Sequence, residues 1–299
     1  MNGWLFVDKP VGITSTGVIN QLKHFGFKKA CSKIGHGGTL DPFATGILPI
    51  ALGKATKLIE YAMDKTKTYE FTITWGEDRD TLDLTGTVTA TSPARPYIGE
   101  LHAIVEEMNS SGPEILQLPP AFSALKINGK RAYTLARCGE KPELAPRKVK
   151  LHNLKLLNAT TTDATFIVTS GRGFYVRSLA RDIAARVKAL GYVSKLRRIE
   201  LGKITITNTI SLAFLEEVVY TAETMGLEKA LSSYLQPTHV VLDDILVQHV
   251  NQHEASKLQC GNTIETDMEE NQVAAFYEGS LIAICRADGT FMHPTKVLV

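Results

Sequence analysis

Apolar and polar residues alternate strictly along "KTYEFTITWG": Tyr69, Phe71, Ile73 and Trp75 share one face, and Glu70, Thr72 and Thr74 the other. That period of two predicts a half-buried strand. Upstream, "WLFVDKP" predicts a strand that stops at Pro10, which lacks a ladder donor. Thr14, Ser15 and Thr16 offer N-caps for a helix carrying Val18, Ile19 and Leu22 and ending near Gly26. After the break "SPARP", the segment "YIGELHAIVEEM" has the period of an amphipathic helix. "LQLPPAFSALKINGKRAYTLARCGE" starts extended at Pro119-Pro120, turns at Asn128-Gly129 and continues as a basic helix to about Gly139. "VKLHNLKLLNA" and "DATFIVTSG" predict strands. A helix is then predicted through Val176, Leu179, Ile183, Val187 and Leu190, with Arg177, Arg181, Arg186 and Lys188 on its other face. Helices near 212–221 and 226–235 follow, closed by Pro237.

From Thr238 the texture changes to short apolar runs, such as "HVVLDDILV" and "SLIAICRA", separated by Gly and Asn turns. These predict a small β-rich module over 238–299 after a larger unit over 1–237. Strands and helices in irregular order, without strict βαβ alternation, argue for an α+β fold.

Charge adds what the net value of +2 conceals. Residues 119–203 hold eighteen Lys/Arg against five Asp/Glu, whereas 69–118 hold two against nine and 204–299 four against thirteen. A basic middle and an acidic tail point to a polyanion partner; charge pairing across the fold is the bland alternative. No run of eighteen apolar residues occurs, and the N-terminus lacks the basic n-region of a signal peptide. Cys31, Cys138, Cys260 and Cys285 lie far apart with no CxxC. Reduced thiols in a cytoplasmic protein are therefore expected, and a zinc site is not.

The candidate chemistry lies in "KIGHGGTLDPFATGILPIALGKATKL", where Asp41 has no carboxylate neighbour until Glu60. Gly35, Gly37, Gly38 and Gly46 permit close backbone approach. Read locally, Asp41-Pro42 is a turn-capping pair. GxxxxGK[ST] is absent, so a nucleotide phosphate loop is not expected.

This stretch closely resembles the signature of the bacterial tRNA pseudouridine-55 synthases, the TruB-type family. "GWLFVDKPVGITS", "KTYEFTITWGEDRDTLDLTG", "PPAFSALKINGKRAYTLAR", and "SGRGFYVRSLARDIAARV" followed by "LRRIELG" match further motifs in order, from residue 3 to about 202. The resemblance implies a pseudouridine-synthase-type mixed sheet flanked by helices, with a PUA-like β-barrel module at the C-terminus. It implies isomerisation of a T-arm loop uridine in tRNA, without metal or other cofactor, on a base flipped out of the RNA. Asp41 would be the nucleophile, attacking uracil C6 or ribose C1′. Tyr69 would pack against the base and take part in proton transfer, and Arg177 would pair with Asp41. His36 would help reorganise the RNA loop, Leu196 would wall the uracil pocket, and Lys9 with Pro10 would buttress it. Tyr175, within the same motif as Arg177, is a further candidate RNA contact.

The residues themselves agree in part. A carboxylate in a dry pocket needs a cationic partner to stay ionised, and a guanidinium fork also orients it. By periodicity alone, Arg177 is a solvated helix-face residue and Tyr69 a core aromatic. Lys126, Lys130, Arg131 and Arg137, in a basic RNA-clamping insertion around 119–150, suit phosphate contacts, whose affinity falls with salt. Asp80 and Asp83 read as loop-positioning residues. The tail over 238–299 has three Lys/Arg against nine Asp/Glu, so limited phosphate contact is expected there. Rival readings are a tRNA-folding chaperone that modifies nothing, a guide-RNA-type pseudouridine synthase, and, weakest, a glycoside hydrolase lacking its second carboxylate. A cytoplasmic monomer is expected.

Overall fold

The computed structural model of the chain describes residues 1–127, 129–140, 142–222 and 226–298. Asn128, half of the predicted Asn128-Gly129 turn, lies outside the described residues. Ten strands form the main sheet: β1 (Gly3–Lys9), β2 (Ile34–His36), β3 (Thr45–Leu52), β4 (Lys67–Trp75), β5 (Glu114–Gln117), β6 (Arg147–Ala159), β7 (Asp163–Ser170), β8 (Gly191–Leu201), β9 (Ile204–Thr205) and β10 (Ile210–Ser211). Their order is β10-β1-β3-β8-β4-β7-β6-β5, with β2 paired to β3 and β9 to β8. Helix α1 (Ser15–His24) follows β1, capped by the Thr14 hydroxyl on Gly17 N–H. Helix α2 (Ile98–Ser110) buries Leu101, Ile104, Val105 and Met108 against β6 residues Leu151 and Leu154. Helix α3 (Val176–Arg186) packs Leu179, Ala180 and Ile183 on β4 and β8 side chains. This is the mixed sheet flanked by helices that the resemblance implied.

Two strands that place the site carry no clean alternation. Along β8 the buried positions are 191, 193, 196, 198 and 201, at spacings of two, three, two and three. Register shifts between Val193 and Lys195 and between Arg198 and Glu200 insert the extra residues. Each bulge restarts the pleat, so Leu196 and Arg198 both turn inward although three neighbouring positions are charged. Strand β3 carries Gly46 and Pro49. Pro49 accepts a bond from Gly37 N–H on the side where β2 has run out, so its missing donor interrupts no strand pair there.

Other predicted elements shift. Helix α3 ends at Arg186, short of Leu190, because Lys188 turns to φ +52°. The helix expected over 226–235 is reduced to Leu227–Ala230, following helix α4 (Leu212–Thr221). Strand β4 is a central strand, and Thr68 and Thr72 on its polar face are themselves buried, bonded to Thr169 and Thr165 of β7.

Beyond Pro237, strands β11 (Leu246–His249), β12 (Ile264–Glu265), β13 (Glu269–Tyr277), β14 (Ser280–Asp288) and β15 (Phe291–Val297) form a curled sheet ordered β11-β13-β14-β15-β12. Helix α5 (Gln252–Gln259) packs on it. This half-barrel fits a PUA-like module. It is not a free appendage: Ala274, Phe276, Leu281, Ile284 and Leu298 share one apolar cluster with Trp4, Phe6, Ala51 and Leu58. Trp4 exchanges backbone bonds with Gln236 and donates its indole N–H to Thr238. Among the described residues, no helix is long and apolar enough to cross a membrane.

Candidate active site

The start of β4, the middle of β8, the first turn of α3 and the glycine-bearing loops after β2 and β7 converge on a cavity of about 250 Å³. Its lining includes Gly38, Asp41, Lys67, Tyr69, Ser123, Tyr175, Arg177, Leu196 and Arg198. At ~30 Å³ per water in the liquid, that is space for roughly eight waters or one ring-sized guest.

The loop that presents Asp41 is tied from several sides. Ser15 Oγ bonds both N–H and C=O of Leu40, and Gly12 N–H donates to Pro42 C=O. Lys9 is fully buried, and its Nζ donates to the carbonyls of Pro10, Ile13 and Pro42 at 2.8, 2.8 and 3.2 Å. Below the loop, Arg198 donates to Ile47 C=O and Gly38 C=O. Gly46, at φ +100°, lies so close to the Arg198 backbone that a Cβ would sit 2.2 Å from its carbonyl oxygen. This glycine therefore serves strand-to-strand approach, the close contact that glycine alone allows.

Arg177 is 4 % exposed and makes five polar contacts. Nε stands 3.0 Å from Asp41 Oδ2, and Nη2 donates to Asp41 Oδ1 at 3.2 Å, so the guanidinium fork meets the carboxylate with two nitrogens. Nη1 donates to Thr81 C=O and faces Asp83 Oδ2 at 3.2 Å, and Nη2 also donates to Phe122 C=O. Asp83 is itself buried; its Oδ1 accepts from the Thr81 hydroxyl and from the N–H and hydroxyl of Thr85. Leu82, at φ +60°, accepts from Val193 N–H, and Leu84 N–H donates to Val193 C=O, so Asp83 is held between two strand-like bonds. The result is an Asp–Arg–Asp chain with a half-buried carboxylate facing the cavity and a buried one behind.

Burial pushes the Asp41 carboxyl above its ordinary value; Arg177 works against this and the Asp83 carboxylate adds to it. Chemistry that needs the carboxylate is lost as pH falls through the Asp41 pKa. The acid limb of the single-turnover rate should therefore lie above the ~3.9 of a free aspartate. Asp83→Asn removes a negative neighbour, so it should move that limb to lower pH; a shift to higher pH would contradict this electrostatic account.

The other predicted residues divide. Tyr69, Tyr175 and Leu196 line the cavity, and the Arg198 guanidinium lies 6.0 Å from the Tyr69 ring centroid. Tyr175 donates its backbone N–H to Gln117 Oε1. His36 ends β2 beside Gly37, outside the cavity lining, with Nδ1 buried and unpartnered; burial and Arg198 hold its pKa down. Lys126, Lys130, Arg131 and Arg137 are exposed on a two-stranded ribbon, Lys126–Ile127 with Lys130–Arg131, and on the short helix Ala132–Arg137. That segment is stitched to the site at its base: Leu118 C=O accepts from Ser178 and Arg181, and Phe122 C=O from Arg177.

Sequence reasoning missed three site residues. Asp83 was placed in a turn but not against Arg177, a contact that only the tertiary fold makes. Arg198 was hidden by the bulges of β8. Lys67 stands two residues before Tyr69, on the same strand face, and that spacing was the available signal.

Residues 23–176 match the TruB family pseudouridylate synthase N-terminal domain, and residues 177–243 match the tRNA pseudouridylate synthase B C-terminal domain. The tRNA pseudouridine synthase B of Gluconobacter oxydans is 42 % identical over 267 residues, covering 89 % of this chain and 78 % of that protein. That of Rhodospirillum rubrum is 38 % identical over 310 residues, covering 100 % and 96 %. In fold, the chain is similar to a protein in an H/ACA RNP bound to a substrate RNA containing 2'-deoxyuridine, with a TM-score of 0.76 at 21 % identity over 99 % of this chain and 85 % of that one. An archaeal box H/ACA sRNP Nop10–Cbf5 complex gives a TM-score of 0.75 at 20 % identity, over 99 % and 86 %.

Proposed function

The chain belongs to the TruB family of pseudouridylate synthases and isomerises uridine to pseudouridine in tRNA, and we propose that its target lies in the T-arm loop and that Asp41 is the nucleophile. One observation carries the second claim: the two-nitrogen contact of Arg177 on Asp41 at the wall of a cavity that Tyr69 and Leu196 also line.

The target uridine is extruded at a cost of a few kcal/mol, offset by stacking and phosphate contacts. Its ring enters between Tyr69 and Leu196, with an aromatic face on one side and an aliphatic wall on the other. Asp41, kept ionised by Arg177 against the pull of burial, attacks either C6 of the ring or C1′ of the ribose. The N1–C1′ bond breaks, the base turns, and C5 bonds to C1′, displacing the Asp41 carboxylate if it is held there; an Asp41–C6 bond breaks instead when the C5–C6 double bond re-forms. His36, which ends β2 two residues before Gly38 of the cavity lining, fills the space the base leaves in the loop. Lys126, Lys130, Arg131 and Arg137 face the phosphates of the stem.

The same reading divides the chain at Pro237 into a catalytic unit over 1–237, with its clamping insertion around 119–150, and a module over 238–299. Two separate sheets support the division. A monomer acting in the cytoplasm completes the proposal.

The test is site-by-site mapping of pseudouridine after purified protein is incubated with an unmodified tRNA transcript. A single pseudouridine in the T-arm loop is expected. Product confined to another arm would overturn the assignment of the target.

A further inference from the structure

Isomerisation includes one step that needs a base, for which the family resemblance offers Tyr69. Once C5 has bonded to C1′, the hydrogen on C5 must leave. We propose that Lys67, acting as a neutral amine, is the base that removes the C5 proton, an inference that rests on the isomerase reading above.

Two buried lysines belong to this region, and they differ in kind. Lys9 Nζ donates to three carbonyls, which accounts for all three N–H bonds of an ammonium. Lys67, 6 % exposed, donates to two, the carbonyls of Met63 and Lys65. No described carboxylate forms an ion pair with it, whereas Lys65 next to it is held by Asp243 and Asp244. Two is the number of N–H bonds in a neutral amine, whose remaining position is a lone pair.

The surroundings favour that neutral form. Arg198 from β8 and Arg172 from the loop after β7 both oppose a proton on Lys67, and Asp64 favours one. The Asp64 carboxylate is engaged 2.8 Å from Arg172 Nη1. Burial is the largest influence, and together they bring Lys67 down to about 7. At neutral pH, amine and ammonium are then both populated, the condition under which a general base is most effective.

Position agrees with this role. Lys67 lines the same cavity as Asp41, and it stands on the β4 face that carries Tyr69 two residues on. A ring lying against Tyr69 would present an edge to that end of the strand. In the step itself, the amine lone pair takes the proton from C5. The electron pair of the broken C5–H bond restores the C5–C6 double bond, expelling the Asp41 carboxylate where it is bonded to C6, or passing the N1=C6 pair onto N1 where it is not. N1, released from the sugar, takes up a proton, so the isomerisation is proton-neutral overall.

Single-turnover reactions on tRNA carrying protium or deuterium at uridine C5 test the assignment. Lys67→Met should slow product formation by about 10²–10⁴-fold. It should also produce a C5 isotope effect larger than that of wild type, because deprotonation becomes rate-limiting. Lys67→Arg keeps donors for the two carbonyls but cannot act as a base near neutrality, so it should show the same enlarged isotope effect. Slowing without an isotope effect in both variants would reduce Lys67 to a support for the Met63 and Lys65 carbonyls and overturn the proposal. So would undiminished rates, or an isotope effect that appears in Tyr69→Phe and in neither lysine variant. Wild-type protein that forms no pseudouridine would instead defeat the isomerase reading itself.

Discussion

Asp41→Asn should reduce single-turnover formation of pseudouridine by about four to six orders of magnitude, the loss typical when a covalent nucleophile is removed. Asparagine keeps the shape of the side chain and can still accept a bond from Arg177, but it has no charge with which to attack carbon. The loop around it is held by Ser15, Gly12 and Lys9 through backbone groups, none of which involves the Asp41 carboxylate. Affinity for tRNA should therefore stay within about tenfold, or 1.4 kcal/mol. Binding by fluorescence anisotropy beside quenched-flow product analysis separates the two quantities. Residual activity within about a hundredfold of wild type would move the nucleophile elsewhere.

Arg177→Met should be nearly as damaging, for a different reason. Methionine can fill much of the buried volume but meets none of the five contacts. Asp83, 3 % exposed, would be left as an uncompensated charge, and the carbonyls of Thr81 and Phe122 would lose their donors. Breaking a buried pair from one side typically costs about 3–5 kcal/mol of stability. Asp41, without its cation, would also hold its proton to higher pH. Chemical denaturation should report the first effect, and a rate loss beyond about a hundredfold with an acid limb displaced upward should report the second. The double variant Arg177→Met, Asp83→Asn should recover part of the stability without recovering the rate. Full stability in the single variant would mean that the Asp–Arg–Asp chain is not the clamp described above.

How far the sequence disclosed all this depended on whether a signal was local. Strands β4 and β7 and helices α1 and α2 were legible because their apolar residues keep one period throughout; β1 read as a continuous apolar run stopped by Pro10, and β6 as an apolar-rich stretch in spite of two register shifts of its own. Strand β8 was not, because two bulges break the period and Lys195, Arg197, Arg198 and Glu200 disguise a central strand as a surface loop. Arg177 follows the same logic in reverse. Its period places it with Arg181 and Arg186 on a basic helix face, yet carbonyls and carboxylates from residues 41, 81, 83 and 122 enclose it. Asp41 was found through motifs spread from residue 3 to about 202, since its own Asp-Pro reads as a turn. Lys67 escaped notice because a lysine at the start of a strand is ordinarily exposed, and only the packing of Met63, Arg198 and β7 around it shows otherwise.

The seam between the two sheets has a consequence for how the chain is made. Trp4 emerges from the ribosome 234 residues before the Thr238 carbonyl that its indole binds, and earlier still than Phe276 and Leu281, which complete its apolar cluster. Strand β1 likewise waits for β10 and Gln236 to satisfy its edge. Contacts of such sequence separation close late and slowly. The apolar face around Trp4 must therefore stay open while more than two hundred further residues are made, and the segments that seal its core are synthesised after it.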